Sequence, residues 1–220
     1  MVPGIAVPSS GGYERGSVVR DRGSEKLDNL VRESGFPNPG RRIPDPGFLI
    51  TQTTMAQPLA ILVTGGTFDK QYDELSGRLF FRDTHVADML RLGRSRLDIT
   101  IETVMMVDSL DMNDEARASI VERCRARSEL SIVITHGTDT MVETAQAIAQ
   151  ARLDDKTIVL TGAMVPYAFG SSDGLFNLGS AVSFAQVLPA GVYLAMNGQH
   201  FAWDEVRKNR ERGVFEWRPA

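Results

Sequence analysis

Short apolar runs alternate with longer amphipathic segments from Leu59 onward. Five runs are rich in β-branched residues, and several are apolar at odd and even positions alike, which is typical of strands covered on both faces. They lie at residues 59–64, 98–106, 130–135, 156–161 and 191–197. The segments between them predict helices at 84–94, 113–127, 140–152 and 173–188. This alternation predicts an α/β fold, with a doubly wound, mainly parallel sheet and helices on both faces.

The first 54 residues follow no such pattern. They contain six of the ten prolines and eight of the twenty glycines, and their apolar residues have no period. Proline removes a backbone donor and fixes φ, so the stretch SGFPNPGRRIPDPG (34–47) is incompatible with a helix or a central strand. We therefore expect residues 1–54 to be disordered or loosely attached, with Met55 a candidate natural start and 55–220 a single domain.

The composition argues against several classes of function. A net charge of −4 without a basic stripe disfavours nucleic acid and anionic membranes as partners. The single cysteine, Cys124, cannot form an internal disulfide, which favours a reducing, cytoplasmic location. No run approaches the ~18 apolar residues of a membrane span, and no secretory signal is evident. His85, His136 and His200 lack metal-ligand spacing, so we expect neither a metal nor a cofactor.

Polar motifs follow four of the predicted strands. They are TGGTF (64–68), VDSLDMND (107–114), THGTDT (135–140) and TGAMVPYAFGSSDG (161–174). Ligands bind at the carboxyl edge of open α/β sheets, so we expect the four motifs to form one site. The dinucleotide, Walker and G-x-S-x-G motifs are absent. The remaining chemistry is that of hydroxyl groups, and a threonine nucleophile needs a neighbour that removes its proton. Either the Tyr72 hydroxyl or a Thr138–Asp139–Lys208 set could do this.

Each candidate also has a purely structural interpretation. Gly65 and Gly66 could form only a strand-to-helix turn, and Asp139 could be the N-cap of the helix that starts there. His136 is more typical of a packed loop than of a ligand, and Lys208 is by default a solvated charge. The sequence patterns leave these alternatives open.

The motifs TGGTF, DSLDMND, ITHGTDTMVETA and TGAMVPYAFGSSDGLFNL resemble, in order and spacing, those of the bacterial-type L-asparaginase and glutaminase family. The resemblance covers about residues 59–210. It implies an amidohydrolase that converts L-asparagine and water to L-aspartate and ammonia without a metal or cofactor. It also implies Thr67 as the nucleophile, with Thr138, Asp139 and Lys208 as a supporting set.

The same resemblance implies a set of substrate contacts. Ser109 would hold the substrate carboxylate and Asp139 its ammonium group. Gly66, lacking a Cβ, would let the backbone approach the substrate. Backbone amides around Thr67 and Thr138 would polarise the scissile carbonyl.

The chain departs from the family pattern in three places. Tyr72, the candidate lid tyrosine, lies only five residues after Thr67, so the lid FDKQYDELSGR (68–78) is compact. Leu110 replaces the family's substrate-gripping glutamine beside Ser109. The chain ends at Ala220, without the C-terminal domain that completes a neighbour's active site in typical members.

We therefore expect a short-chain form that assembles as a homodimer or larger. The apolar stretches VPYAFG (165–170) and FEW (215–217), with Phe201 and Trp203, are candidates for the contact surface or for the core. The alternative functions are a non-catalytic amino-acid sensor with the same pocket, and an amidase that prefers glutamine or another amide.

Overall fold

A computed structural model describes residues 57–218, so the predicted leader 1–54 and its boundary at Met55 lie outside the described residues. The described strands are β1 (Leu59–Gly65), β2 (Lys70–Asp73), β3 (Arg78–Phe81), β4 (Ile99–Val107), β5 (Ser131–Thr135), β6 (Thr157–Thr161), β7 (Gly191–Met196), β8 (Gln199–Ala202), β9 (Val206–Asn209) and β10 (Val214–Trp217). The described α-helices are α1 (Val86–Leu92), α2 (Asp114–Ala126), α3 (Met141–Gln150) and α4 (Gly174–Val187).

The main sheet has the strand order β4-β1-β5-β6-β7-β8. Its first five strands are parallel, and β8 pairs antiparallel with β7 at one edge. The five parallel strands are the five predicted ones, with ends within one residue of the predicted positions. The predicted α/β fold with a mainly parallel sheet is therefore confirmed.

Helices cover both faces of this sheet, because the strands are apolar on both sides. In β1, Ala60 and Leu62 face the core that contains α2 and α3, whereas Leu59, Ile61 and Val63 face the core that contains α1 and α4. All five side chains are fully buried. A strand covered on both faces carries apolar residues without alternation, as the sequence pattern indicated.

One strand–helix–strand connection differs from the others in hand. The connections β5–α3–β6 and β6–α4–β7 step the same way along the sheet, yet α3 and α4 lie on opposite faces. The connections through α1, α2 and α3 share one hand, and β6–α4–β7 has the other. Since about 98% of such crossovers are right-handed, the β6–α4–β7 connection is the left-handed exception.

Two antiparallel hairpins were not predicted as strands. The compact lid forms the β2–β3 hairpin, whose turn is closed by the Asp73 carboxylate; it accepts hydrogen bonds from Leu75 N at 3.0 Å and Ser76 Oγ at 2.6 Å. The β9–β10 hairpin follows the main sheet and carries Lys208. Both hairpins lie next to predicted site residues.

The starts of two helices are set by different polar groups. The Asn113 side chain caps α2 by accepting a hydrogen bond from Ala116 N at 2.9 Å. Thr140 stands at the N-cap position of α3 without a side-chain cap, because its hydroxyl donates to the Ser109 carbonyl at 2.7 Å. Among residues 57–218, no helix has the length and apolar character that crossing a membrane requires.

Candidate active site

The loops that follow β1, β4 and β5 approach one another closely at two glycines, Gly66 and Gly137. A Cβ on Gly66 would lie 2.5 Å from Gly137 Cα, and a Cβ on Gly137 would lie 2.6 Å from Ser109 Oγ. Gly66 has φ 81° and ψ −177°, a region that glycine alone adopts readily. Thr67 and Thr138 each follow this contact directly, so it brings the two threonine-bearing loops together.

This contact gives a different reason for Gly66 from the predicted one. The space that its Cβ would occupy is filled by Gly137, and its N–H donates to the Val107 carbonyl at 3.1 Å. The close approach that requires glycine is therefore between two protein loops. The predicted approach of Gly66 to a substrate stays a prediction.

The structure joins Thr138, Asp139 and Lys208 by short hydrogen bonds. Lys208 Nζ donates to Thr138 Oγ1 at 2.8 Å and to Asp139 Oδ1 at 2.7 Å. The Lys208 side chain is only 9% exposed and that of Asp139 is 37% exposed. The Thr138 hydroxyl itself has a weak acceptor, the Met164 sulfur at 3.7 Å. Lys208 lies 70 positions after Thr138 and 69 after Asp139 in the chain, and β9 brings it to both residues.

This cluster decides between two of the open alternatives. The N-cap of α3 is Thr140, and the Asp139 carboxylate binds Lys208, so the interpretation of Asp139 as an N-cap is wrong. The interpretation of Lys208 as a solvated charge is wrong as well, since its ammonium group is largely buried between two partners.

Ser109 and Leu110 lie at the start of a short turn, Ser109–Asp111, after β4. Ser109 is buried, and its Oγ accepts a hydrogen bond from Asp139 N at 3.3 Å. This bond connects the β4 loop with the Thr138 cluster. Leu110 is exposed, so the glutamine position of the family pattern carries an apolar side chain directed to solvent.

Thr67 begins another short turn, Thr67–Asp69, after β1. Thr67 itself is half-buried, whereas Phe68 and Asp69 are fully buried and anchor the turn in the core. The nucleophile candidate therefore stands on a fixed turn with part of its surface open.

Tyr72 is less closely associated with the site. It lies on β2, pairs across the hairpin with Leu79, and is 55% exposed. In the described part of the chain its hydroxyl has no hydrogen-bond partner, and the structure does not join it to Thr67. Its predicted catalytic role stays a prediction.

His136 stabilises the loop that follows β5 through hydrogen bonds of its buried ring. It is fully buried, as the packed-loop interpretation required. Its Nδ1–H donates to the Gly137 carbonyl at 2.7 Å, and its Nε2 accepts from the Thr144 hydroxyl at 2.8 Å, an arrangement that fits the neutral ring. Burial lowers the pKa of His136 to about 4, although the bond to Gly137 opposes this shift.

Three charged residues near the site were missed as functional candidates or not linked to one another. Lys70 forms an ion pair with Asp108, which joins the hairpin to the β4 loop. Asp69 is fully buried, and its Oδ1 accepts from His85 N at 2.8 Å and from Thr84 Oγ1 at 3.1 Å. Burial raises the pKa of Asp69, although these hydrogen bonds lower it in part. The signal in the sequence was the charged pair Asp69-Lys70 close to a buried strand, because charged side chains that become buried are normally paired.

Within residues 57–218, the histidine, cysteine, aspartate and glutamate side chains form no group of three that could hold a metal ion. The described site residues present hydroxyl, carboxylate, ammonium and backbone amide groups. Such groups suit acyl transfer through a threonine ester.

Comparison with known proteins shows the family to which the described domain belongs. Residues 58–215 match the family model described as "Asparaginase, N-terminal". The chain is 32% identical over 170 residues to the probable periplasmic L-asparaginase of Haemophilus influenzae, covering 71% of this chain and 47% of that protein. It is 32% identical over 176 residues to the glutaminase-asparaginase of Pseudomonas fluorescens biotype A, covering 73% of this chain and 46% of that protein.

A solved structure agrees with these matches. The probable cytoplasmic L-asparaginase of Campylobacter jejuni superposes with a TM-score of 0.62 at 30% identity, covering 73% of this chain and 51% of that one. The chain thus spans about half the length of the relatives that it matches.

Proposed function

We propose, because this chain belongs to the asparaginase family, that it hydrolyses L-asparagine to L-aspartate and ammonia with Thr67 as the nucleophile. The observation that carries the proposal is the Thr138–Asp139–Lys208 cluster, in which Lys208 Nζ binds Thr138 Oγ1 at 2.8 Å and Asp139 Oδ1 at 2.7 Å. Two members of this cluster, Thr138 and Asp139, lie on the loop whose backbone packs against the Thr67 loop at Gly66.

The reaction would proceed in two balanced steps. Thr67 Oγ forms a bond to the side-chain amide carbon, the C–N bond breaks, and the leaving nitrogen takes up the proton that Thr67 has lost. The product is an aspartyl ester on Thr67 and free ammonia. Water then attacks the ester carbon, the C–O bond breaks, and Thr67 regains a proton as L-aspartate leaves.

Two groups remain candidates for carrying the proton from Thr67 to the leaving nitrogen. The Thr138 hydroxyl is supported by its bond from the Lys208 ammonium, because a positive charge at that distance stabilises negative charge that develops on Thr138 Oγ1. Tyr72 has no such partner and is largely exposed. The geometry therefore favours Thr138 over Tyr72 for this role.

Substrate recognition would use groups on the β4 and β5 loops. The Asp139 carboxylate has one oxygen on Lys208 and remains partly exposed, which suits a contact with the substrate ammonium. The Ser109 hydroxyl accepts from Asp139 N and keeps its own proton to donate to a carboxylate. Leu110 offers no hydrogen bond, and we expect it to weaken the grip on the amino-acid head group.

Ammonia release by the purified full chain tests the proposal. L-asparagine and L-glutamine are supplied in parallel, and Thr67→Ala serves as the inactive control. We expect asparagine turnover well above glutamine turnover, both abolished in the control. Heat of binding by calorimetry without ammonia would instead support the amino-acid sensor, and faster turnover of glutamine would support the glutaminase alternative, which the name of the Pseudomonas relative keeps open.

The proposal extends to the assembly of the chain and to its location in the cell. A homodimer or larger assembly is supported by exposed apolar side chains near the site, namely Met164 and Phe169. The predicted contact residues Phe201 and Phe215 belong to the core, so they cannot contribute to an interface. Light scattering at assay concentration tests the assembly. A cytoplasmic location agrees with the name of the Campylobacter protein, and the Haemophilus protein is named periplasmic.

A further inference from the structure

Two short turns each carry a predicted site residue at their first position. Thr67 begins the turn Thr67–Asp69, and Ser109 begins the turn Ser109–Asp111. Lys70 ends the first turn, because its N–H donates to the Thr67 carbonyl. Asp108 starts the second turn, because its Oδ1 accepts from Leu110 N at 3.1 Å. The residue that ends one turn and the residue that starts the other form an ion pair.

This ion pair differs from the surface pairs of the same domain. The side chains of Lys70 and Asp108 are 18% and 29% exposed, and the two residues are 38 positions apart in the chain. By contrast, Arg91 and Asp88 are 80% and 60% exposed and lie three residues apart on α1. A long-range, half-buried pair constrains the backbone on which both residues stand, whereas an exposed local pair contributes little.

The charge state of Asp108 agrees with a constraining role. Burial acts to raise the pKa of Asp108, but the hydrogen bonds from Lys70 and from Leu110 N and the charge of Lys70 outweigh it, so the pKa lies below the usual range. The carboxylate therefore stays ionised and bonded to both partners throughout the neutral range.

The turn that carries Thr67 is held by different groups on its two sides. On its N-terminal side, Gly66 packs against Gly137 and its N–H donates to the Val107 carbonyl. On the other side, Asp69 binds the backbone at His85, and Lys70 points to Asp108. These two consecutive side chains tie the turn to α1 and to the β4 loop.

We propose that the Lys70–Asp108 ion pair is a positioning device that sets the spacing between the Thr67 turn and the Ser109 turn. In this role neither residue contacts the reacting atoms. The pair holds the nucleophile at the distance from the carboxylate-binding serine that an amino acid with a short side-chain amide, such as asparagine, requires. This role rests on the proposed hydrolysis, and it names a determinant of the match between site and substrate length.

Steady-state kinetics of four variants test this role. Lys70→Met removes the charge, Lys70→Arg keeps it, and Asp108→Asn keeps the acceptor for Leu110 N while removing the ion pair. The fourth is the double variant Lys70→Met with Asp108→Asn. Arg91→Met is the matched control, because it breaks an exposed ion pair that is remote in the chain from both turns.

We expect each single loss of the pair to lower kcat by about tenfold to hundredfold with little change in KM, because small displacements of reacting groups have effects of this size. The double variant should be no worse than either single one, and Lys70→Arg and Arg91→Met should retain kcat. The comparison substrate is 3-aminopropanamide, which is asparagine without its α-carboxylate. If Lys70→Met raises KM for asparagine but not for this compound, with kcat unchanged, the proposal is overturned and Lys70 is a contact of the substrate carboxylate. Unchanged kinetics in Lys70→Met would overturn it as well.

Hydrogen exchange separates this proposal from the proposed function. In Lys70→Met, the backbone amides of Lys70 and Leu110 should exchange faster, whereas those of α2 should not change. This readout needs no turnover, so a wild-type chain that releases no ammonia would contradict the hydrolysis and leave the exchange measurement to decide on the pair. Unchanged exchange in both turns would overturn the positioning role.

Discussion

Two loops carry the threonines of the site, and different contacts hold them: the Thr67 loop follows β1 and the Thr138 loop follows β5. The Thr138 loop is held by side chains, since a buried lysine from a distant hairpin binds both Thr138 and Asp139. The Thr67 loop is held on one side by the backbone contact of Gly66 with Gly137, and on the other side by the Asp69 and Lys70 side chains. A side-chain cluster can be disturbed one group at a time, whereas a backbone contact fails as a unit.

The largest expected effect concerns the nucleophile. Thr67→Ala should lower kcat by at least about a thousandfold, because no other hydroxyl stands on that turn to form the ester. The fold should survive, since Thr67 is half-buried and Phe68 and Asp69 anchor the turn. Ammonia release and thermal melting measure the two effects, and Thr67→Ser is the control that keeps a hydroxyl. Activity near that of the wild type in Thr67→Ala would remove Thr67 from the mechanism.

The backbone contact itself should be nearly as sensitive. Gly66→Ala should lower the free energy of unfolding by about 3 kcal/mol or more, because a Cβ meets Gly137 at a φ and ψ that alanine avoids. Gly77→Ala is the matched control, with φ 68° and open space around its Cβ. Chemical denaturation of both variants separates the effect of the steric overlap with Gly137, which only Gly66→Ala has, from that of the unfavourable positive φ, which both have. Equal losses would mean that the Gly66–Gly137 contact contributes nothing beyond its torsion angles.

His136, which is buried against the Thr138 loop, should make the stability of the domain sensitive to acid. A histidine whose pKa is lowered from 6.5 to about 4 binds its proton more readily in the unfolded chain. Stability is therefore lost as pH falls from about 6.5 towards 4, by at most ~3 kcal/mol. Urea denaturation across this range should show the loss in the wild type and a smaller one in His136→Asn. Identical pH profiles would exclude His136 as the cause.

The side-chain cluster should affect catalysis more than folding. Lys208→Met removes both hydrogen bonds and should lower kcat/KM about a hundredfold. The stability change should stay within ~1 kcal/mol, because the Asp139 carboxylate is partly exposed and can be hydrated. Arg207→Met, on the same strand and paired with Glu216, is the control with intact activity. A loss of stability without loss of activity would make the cluster purely structural.

The smallest effect is expected on the hairpin. Tyr72→Phe should change kcat by less than about threefold, because the hydroxyl is exposed and Thr138 is better placed to carry the proton. Kinetics at several pH values check this expectation. A hundredfold loss of kcat would assign the role of proton carrier to Tyr72 in place of Thr138.

The fold was largely predictable from local pattern. The five parallel strands are continuous β-branched runs, and burial on both faces explains why a sequence such as LAILVT is apolar at nearly every position. The β2–β3 and β9–β10 hairpins were not predicted, because strands of four residues carry too little periodicity. Their pairing depends on turns and on tertiary contacts that no short window contains.

The candidate site was predictable in its residues but not in all of its contacts. Thr138, Asp139 and Lys208 were expected to act together by resemblance, whereas the charged stretch around Lys208 does not by itself distinguish a site lysine from a solvated one. Only the β9–β10 hairpin places the Lys208 ammonium group on Thr138 and Asp139. Likewise, Lys70 and Asp108 are ordinary charges in sequence, and their pairing follows from the adjacency of β1 and β4.

The left-handed β6–α4–β7 connection bears on how the chain folds. Helix α3 lies between β5 and β6 in the chain yet packs mainly on β7, whereas α4 packs on β6 and β7, its neighbours in the chain, and also on β5. Neither helix therefore completes its packing until β5, β6 and β7 are all assembled. Contacts that need distant strands form slowly, because the intervening chain must be ordered first. The segment from β5 to β7 should accordingly open and close as a single cooperative unit, with the amide protons of both helices exchanging together.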